Sequence, residues 1–235
     1  MKRLFGDWIV ATRNADMPSD VNDKSTQDRL VEAAERLFSE RGFNETSVRD
    51  IASAADCNVA SINYYFGGKD NLYKEIWRRR LAQMREIRLA SIERVMSRPE
   101  PPALEDLLRS FGHSFVEPLA EGGERCRFIN LMAREMIDPH LPTGMFVSEL
   151  VLPSMTAFRK ALLTICPWLD ESRIHLITLS VVGQIMHTMC VGRMFEHAEN
   201  QEVPPLDVKQ LVDHVVRFSA AGIRGYADDA KGHGT

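Results

Sequence analysis

Apolar residues recur along nearly the whole chain at the spacing of α-helices, three or four positions apart, and no segment shows the strict alternation of a β-strand. The first clear example is a predicted helix over about 26–41, whose inward face consists of Leu30, Ala33, Ala34, Leu37 and Phe38. Gly42 ends this helix. The same pattern predicts eight further helices, at about 47–55, 59–66, 69–96, 103–119, 124–137, 145–165, 171–197 and 206–226. The chain is therefore predicted to be all-α.

The composition is that of an ordinary globular protein of 235 residues, of which 44% are hydrophobic and 26% charged. The net charge of -4 does not indicate that the whole chain binds nucleic acid, although a small basic face fits within an acidic total. The four cysteines are far apart and show no C-x-x-C spacing, which favours free thiols over a disulfide or zinc framework. No apolar run is long enough to cross a bilayer, so we expect a cytoplasmic protein that does not bind the membrane.

The most informative segment contains two short predicted helices, 47–55 and 59–66, joined by a tight turn. This arrangement is typical of a helix-turn-helix, whose second helix lies in the major groove of DNA. Ile62 and Phe66 are four residues apart and share the inward face of that helix. Polar and aromatic residues are left to face outward or to flank it: Ser61, Asn63, Tyr64 and Tyr65. The alternative for the tyrosines is that their rings pack in the core and their hydroxyls lie at its rim.

Residues 46–73, TSVRDIASAADCNVASINYYFGGKDNLY, resemble the DNA-binding segment of the TetR/AcrR family of bacterial transcriptional regulators. The shared features are a second helix with small residues and an Ile-Ala pair, an aromatic third helix that ends in Tyr-Phe, and a lysine that opens the fourth helix. The segments YYFGGKDNLY and INLMAREMIDP further resemble the subgroup with a CecR-type C-terminal domain.

The resemblance implies an all-α fold in which an N-terminal three-helix helix-turn-helix domain is joined to a C-terminal helical domain for ligand binding and dimerisation. We expect a disordered N-terminal arm over 1–24 and a DNA-binding domain over 25–72. The effector-binding and dimerisation domain is expected over 73–228, followed by a disordered tail over 229–235.

The resemblance also implies which residues contact DNA: Thr46, Ser47, Arg49, Val59, Ala60, Ser61, Asn63, Tyr64, Tyr65 and Lys69. The two hydroxyl residues at the start of the second helix would hold a phosphate through side chain and backbone N–H. Arg49 would reach a guanine edge or a phosphate, and the outward-facing residues of the third helix up to Asn63 would face the bases. The two tyrosines and the lysine would contact the phosphate backbone. Asn63 departs from the family pattern, which often has tyrosine there, so this contact is lost or becomes a contact to a base.

In the C-terminal half, the predicted effector site is lined by Met132, Arg134, Met136, Met155 and His187. Methionines supply an adaptable apolar lining, which suggests an apolar or amphipathic effector, and Arg134 would bind an anionic group. Core packing explains most of the methionines equally well, and His187 is more often a satisfied core histidine. Arg134 otherwise reaches solvent or pairs internally. The broad apolar faces of the last two helices are expected to form a homodimer interface, or to complete the core of the monomer.

These observations predict a transcriptional regulator, most simply a ligand-responsive repressor that binds a palindromic double-stranded DNA operator as a homodimer and is released by a small molecule. No cofactor or metal is expected. The alternatives are an enzyme that uses the C-terminal cavity and a helical protein-binding adaptor. An enzyme is disfavoured because the sequence has no phosphate loop, nucleophile elbow or metal-spaced histidine cluster.

Overall fold

The structure, a computed structural model, describes residues 20–116, 122–196 and 208–232. These residues form α-helices with one π-helical segment and contain no β-strand, so the predicted all-α class is confirmed. The helices are α1 (Asp20–Arg41), α2 (Val48–Ala54), α3 (Val59–Phe66), α4 (Lys69–Met96), α5 (Leu104–Val116), α6 (Gly122–Ile137), α7 (Leu152–Ile165), α8 (Glu171–Glu196) and α9 (Val208–Gly232). No helix of the described ranges is both long and apolar enough to span a membrane.

Two helices extend beyond their predicted limits. Helix α1 begins at Asp20, within the arm expected to be disordered, and α9 continues to Gly232, within the expected tail. The remainder of the arm, 1–19, and of the tail, 233–235, lies outside the described residues.

The single helix predicted over 145–165 has an irregular start, because a π-helical segment, Val147–Val151, precedes α7. Pro153 stands in the first turn of α7, and proline has no N–H to donate to the carbonyl four residues earlier. That carbonyl, of Glu149, instead accepts a hydrogen bond of 2.9 Å from the Arg85 guanidinium on α4. The second interaction of Arg85 is an ion pair of 3.3 Å with the Glu149 carboxylate.

The chain divides into two compact units, Met1–Leu72 and Tyr73–Thr235. In the first unit, α2 packs on both α1 and α3. The large residues at the centre of its core are wholly or almost wholly buried: Leu30, Leu37, Phe38, Ile51, Ile62 and Leu72. These are the inward-facing positions of the helical pattern in the sequence, which explains why three short amphipathic helices hold together.

In the second unit, α5 packs against α7 and α9, and α8 packs against α7 and α9. The Phe111 ring lies at the centre, stacked on Phe158 with 4.3 Å between ring centroids and edge-to-face with Phe115 at 5.1 Å. Gly112 permits the close approach of α9, because a Cβ atom there would lie only 3.2 Å from Val212 Cγ1. Burial of these aromatic side chains and of the aliphatic residues around them stabilises this unit.

Candidate DNA-binding surface

The start of α2 is fixed by a capping box. Ser47 is the N-cap residue: its hydroxyl accepts a hydrogen bond from the Asp50 N–H, and its own N–H donates to the Asp50 carboxylate. The Ser47 hydroxyl also donates to that carboxylate. These hydrogen bonds lower the pKa of Asp50. Of the two hydroxyl residues before α2, Ser47 is therefore the cap. A phosphate at Ser47 would have to compete with Asp50 for the same donors.

Thr46 is placed differently from the prediction. It is completely buried, and its hydroxyl donates to the carbonyl oxygens of Gly42 at 2.7 Å and Leu37 at 3.4 Å. Its side chain therefore fastens the α1–α2 loop to the end of α1. The predicted contact between this side chain and a phosphate is wrong in this conformation, because the hydroxyl is enclosed and already donates within the unit.

The turn between α2 and α3 sets the direction of α3. Asp56 has a left-handed backbone conformation, with φ of 51°, which aspartate tolerates better than most residues do. The Asn58 side chain then caps α3 by accepting a hydrogen bond of 2.8 Å from the Ala60 N–H. Gly67, with φ of 71°, ends α3, and its N–H donates to the Asn63 carbonyl. Glycine suits this position because other residues rarely adopt that conformation.

Helix α3 has one buried and one exposed side. Ile62 is fully buried, whereas Tyr64 is 76% exposed and Asn63 is also exposed. Val59 and Ala60, in the first turn, are exposed as well. An exposed tyrosine and valine next to an exposed amide are unusual on a surface that contacts only water, and they suit base edges, thymine methyl groups and phosphates.

The half-buried residues on the flank of α3 pack on each other and on the α1–α2 loop. The Tyr65 ring lies edge-to-face with Tyr64, with 4.9 Å between centroids. The Lys69 ammonium lies 4.2 Å from the centroid of the Phe43 ring, and its partial desolvation lowers the pKa of Lys69. Ser61 is half-buried as well. These contacts restrict the rotamers of Tyr65 and Lys69 in the free protein. Less side-chain entropy would therefore be lost when these residues bind DNA.

Positive charge on the first unit is sparse. Between Thr26 and Leu72 the sequence has five basic and eight acidic residues. Helix α3 has none of either, so its attraction to DNA would depend on flanking cations. Of these, Arg49 on α2 is exposed and makes no ion pair within the described ranges. Ion pairs between this unit and DNA phosphates would therefore be few.

Three residues that support this surface were not singled out as functional by the sequence: Phe43, Asp50 and Asn58. Asp50 and Asn58 had a recognisable signal, because Ser-x-x-Asp and an asparagine before an apolar helix are patterns of helix N-termini. Phe43 had none, since only the fold brings its ring under a lysine 26 positions later in the sequence.

The residues predicted to line an effector site do not share one environment. Met136 is 78% exposed, and Arg134 and His187 are exposed too. Met132 and Met155 are half-buried. Of the outcomes left open for Arg134, the structure supports a position at the surface. Its neighbour Glu135 accepts hydrogen bonds from the Tyr73 hydroxyl and from backbone N–H groups of the loop that follows α6.

Residues 30–76 match the model of bacterial regulatory proteins of the tetR family, and residues 104–223 match the C-terminal domain of the HTH-type transcriptional dual regulator CecR. The chain is 24% identical over 175 residues to CecR of Shigella flexneri, which covers 71% of this chain and 76% of that protein.

A shorter and stronger match is to the probable HTH-type transcriptional regulator YttP of Bacillus subtilis, with 52% identity over 52 residues, 22% of this chain and a quarter of YttP. Among solved structures, a TetR-family regulator of Mesorhizobium loti superposes with a TM-score of 0.63 at 16% identity, covering 85% of this chain and 95% of that one. At this level of identity the likeness concerns the fold alone.

Fold and surface together define a helix-turn-helix protein with a separate helical C-terminal unit. The chain belongs to the TetR family of bacterial transcriptional regulators, in the group with a CecR-type C-terminal domain. Members of this family are DNA-binding regulators, not enzymes.

Proposed function

We propose that this protein is a ligand-responsive repressor that binds a palindromic operator as a homodimer and is released by a small molecule. The observation that carries the proposal is the division of α3 between a buried Ile62 and an exposed edge with Asn63 and Tyr64. A short helix that is capped at both ends and presents such an edge suits the major groove. A regulator of this kind acts where the chromosome is, in the cytoplasm.

In the proposed complex, three exposed residues of α3 and the half-buried Ser61 contact the bases: Val59, Ala60, Ser61 and Asn63. Asn63 suits adenine, whose N6 and N7 atoms pair with a carboxamide, and the amide is not hydrogen-bonded within the described residues. Tyr64, Tyr65 and Lys69 contact phosphates, as do Ser47 and Arg49 on α2. Thr46 is left out of this set.

The proposed dimer interface is the outer face of α8 and α9. Apolar side chains are exposed on it at helical spacing: Leu176, Leu179 and Met186 on α8 and Phe218 on α9. Phe218 is 64% exposed, and its ring stacks on that of His214, which is exposed too. Gly183 and Gly222 lie on the same faces, and a Cβ atom at either would meet nothing within 4 Å. A contiguous apolar face of this kind is typical of an interface.

Release by a ligand requires only modest energy. A coupling of about 1–3 kcal/mol lowers operator affinity 5- to 150-fold, provided that the ligand binds the DNA-free conformation better by that amount. Helix α4 is the proposed link, because it opens with Lys69 and continues to Met96 in the second unit. A change in its tilt would alter the separation of two recognition helices, which must match grooves roughly 34 Å apart.

The experiment is DNA binding by the full-length protein, with footprinting of the region upstream of its own gene to locate an inverted repeat. Tyr64→Ala and Asn63→Ala are compared with the wild type in salt titrations. Asn63→Ala should cost about 1–3 kcal/mol at one base position, whereas Tyr64→Ala should weaken binding to all sequences. Arg49→Ala, which removes a proposed phosphate contact, is compared with Arg29→Ala. The second variant removes the same charge from an exposed position on α1 and serves as the control.

The proposal is rejected if no variant of α3 changes the affinity for any duplex, or if the protein binds its operator tightly as a monomer. A reporter gene behind the footprinted region gives the direction of regulation. Because the relative CecR is named a dual regulator, both an increase and a decrease in reporter expression are scored.

A further inference from the structure

Arg88 is a buried arginine on the inner face of α4 in the second unit. It is 7% exposed and lies on the same helical face as Leu81, Ile92 and Val95, all of which are buried core residues. Its guanidinium lies over the Phe115 ring on α5, with 3.9 Å between Cζ and the ring centroid. Its charged group is thus held in the apolar interior of the helical unit.

No carboxylate neutralises this arginine within the described ranges. Arg88 forms no ion pair there, and its Nε atom is buried without a hydrogen-bond acceptor. Burial alone lowers the pKa of Arg88 to about 10, so the group is still charged at neutral pH. The contact with Phe115 offsets only part of the lost hydration, because an aromatic ring supplies no negative charge.

Arg88 is one of several residues of the second unit with a buried polar side-chain atom that has no hydrogen-bond partner. Four buried side-chain atoms of the described residues have no hydrogen-bond partner, namely Trp77 Nε1, Arg88 Nε, Ser154 Oγ and Arg159 Nε. Three of them can only donate, and the fourth is a hydroxyl that also donates. All four belong to the second unit, and each would be satisfied by an oxygen-rich, electron-rich partner.

Arg88 and Ser154 border the same aromatic cluster. Ser154 lies one helical turn before Phe158 on α7, and the Phe158 ring stacks on Phe111. The Phe111 ring contacts Phe115, over which the Arg88 guanidinium lies. A ligand that pairs with Arg88 would therefore have an apolar, aromatic environment for the rest of its surface.

We propose that the effector is a small carboxylate with an apolar body, whose carboxylate pairs with Arg88 and whose body packs against the Phe111–Phe115–Phe158 cluster. This inference rests on the proposed function and names the chemical class of the effector. A planar carboxylate suits the site because it accepts two parallel hydrogen bonds from a guanidinium whose face is already covered by a ring. Arg88 thus replaces Arg134 as the anionic anchor expected from the sequence.

The test compares carboxylates with their neutral amides on the full-length protein. The probes are 4-phenylbutyrate with 4-phenylbutyramide, decanoate with decanamide, and sodium sulfate at matched ionic strength. Binding is measured by calorimetry and by thermal shift for the wild type, Arg88→Met and Arg88→Lys. Arg85→Met is the matched control, since it removes the same charge from the same helix three residues away.

At least one acid should bind the wild type at least 10-fold more tightly than its amide. Arg88→Met should weaken that acid about 10- to 150-fold, the range for hydrogen bonds to a charged group, without changing the affinity of the amide. Arg88→Lys should retain part of the wild-type preference for the acid over the amide, and Arg85→Met should retain all of that preference. If Arg88→Met does not fold, the affinities of Arg88→Lys for the acid and the amide decide the outcome.

The inference is overturned if neither acid binds better than its amide, or if Arg88→Met binds the acids as the wild type does. It is also overturned if sulfate gives the same Arg88-dependent shift, because the site would then hold an inorganic anion without an apolar body. Operator binding without ligand separates the two proposals. Retained DNA binding without carboxylate binding rejects only this inference, whereas Arg88-dependent carboxylate binding by a protein that binds no DNA rejects the proposed function.

Discussion

Two arginines on α4 provide a sharp test of how buried charge affects this protein, because the same substitution should change its stability in opposite directions. Arg88→Met removes a buried charge that has no acidic partner in the described part of the chain, and methionine replaces its stem in the core. Arg85→Met removes a half-buried guanidinium that donates to the Glu149 carbonyl and pairs with its carboxylate. We expect the first variant to be more stable than the ligand-free wild type and the second to be less stable.

The magnitudes follow from the surroundings of each group. Burial lowers the pKa of Arg88 from 12.5 to about 10, and at about 1.4 kcal/mol per unit this is a cost of about 3 kcal/mol. The cation–π contact with Phe115, lost in the variant, is worth about 2 kcal/mol when desolvated. The net gain for Arg88→Met is therefore about 1–2 kcal/mol, or roughly 2–8 °C in Tm. Arg85→Met should lose about 0.5–1.5 kcal/mol, because water reaches the freed carbonyl only in part.

The measurement is urea and thermal unfolding of the ligand-free protein at pH 7, followed by the fluorescence of Trp77 and the other tryptophans and by circular dichroism. Arg88 is protonated in both states at this pH, so the cost of burying its charge is fully present. The cost would fade only as the pH rises through the folded-state pKa of about 10. A loss of about 3–5 kcal/mol in Arg88→Met would refute the reasoning, because a loss of that size is typical of breaking a buried ion pair.

Three further predictions concern the first unit and the dimer. Ser47→Ala should lower the free energy of unfolding, measured by chemical denaturation, by about 1 kcal/mol because the cap of α2 is lost. The pKa of Asp50 is lowered in the folded state, so the stabilisation by its carboxylate is present above the ordinary value of 3.8 and is lost as the pH falls through the folded value. The difference in stability between the variant and the wild type should therefore shrink as the pH falls through that value. Lys69→Ala should make the slope of log K against log salt shallower by about 2 per dimer, and an unchanged slope would exclude a phosphate contact. Phe218→Glu should convert a dimer into a monomer in sedimentation and weaken operator binding, whereas Leu152→Glu, on an exposed part of α7, should do neither.

Much of the first unit follows from local rules. The helical period places Ile62 inward and Tyr64 outward, and the structure agrees because nothing else in the unit overrides a period so regular. The preference of helix N-termini for hydroxyl residues likewise predicts that Thr46 or Ser47 caps α2. Thr46 was not predictable, because adjacent Thr and Ser have nearly the same cap preference. Only the fold shows that the Thr46 hydroxyl is used by two carbonyl oxygens at the end of α1.

The effector side shows where such rules fail. Arg134 is a candidate anion anchor in the sequence because the helix around it is rich in apolar residues, yet its own position on α6 is exposed. Arg88 had the better signal, since a charge at position 88 falls on the same stripe as Leu81, Ile92 and Val95. That stripe is hard to recognise in the sequence, because α4 carries charged residues on its other faces throughout its length. Whether an arginine on an apolar stripe has an acidic partner is a tertiary property, and no spacing along the helix determines it.

The position of Arg88 also leads to a prediction about the switch itself. A ligand shifts an equilibrium only by the difference in its affinity for the two conformations, and the shift is reciprocal. If a carboxylate at Arg88 lowers operator affinity 30-fold, operator DNA must lower carboxylate affinity 30-fold. We expect equal ratios when each is titrated in the presence of the other, and ratios near one for Arg88→Met, because the variant has lost the charge that the carboxylate neutralises. An amide that binds weakly at the same place should show a smaller ratio than its acid. If the acid binds equally well to free and to operator-bound protein while the operator is still released at high acid concentration, the release must come from another site, and the charge of Arg88 would serve ligand affinity alone.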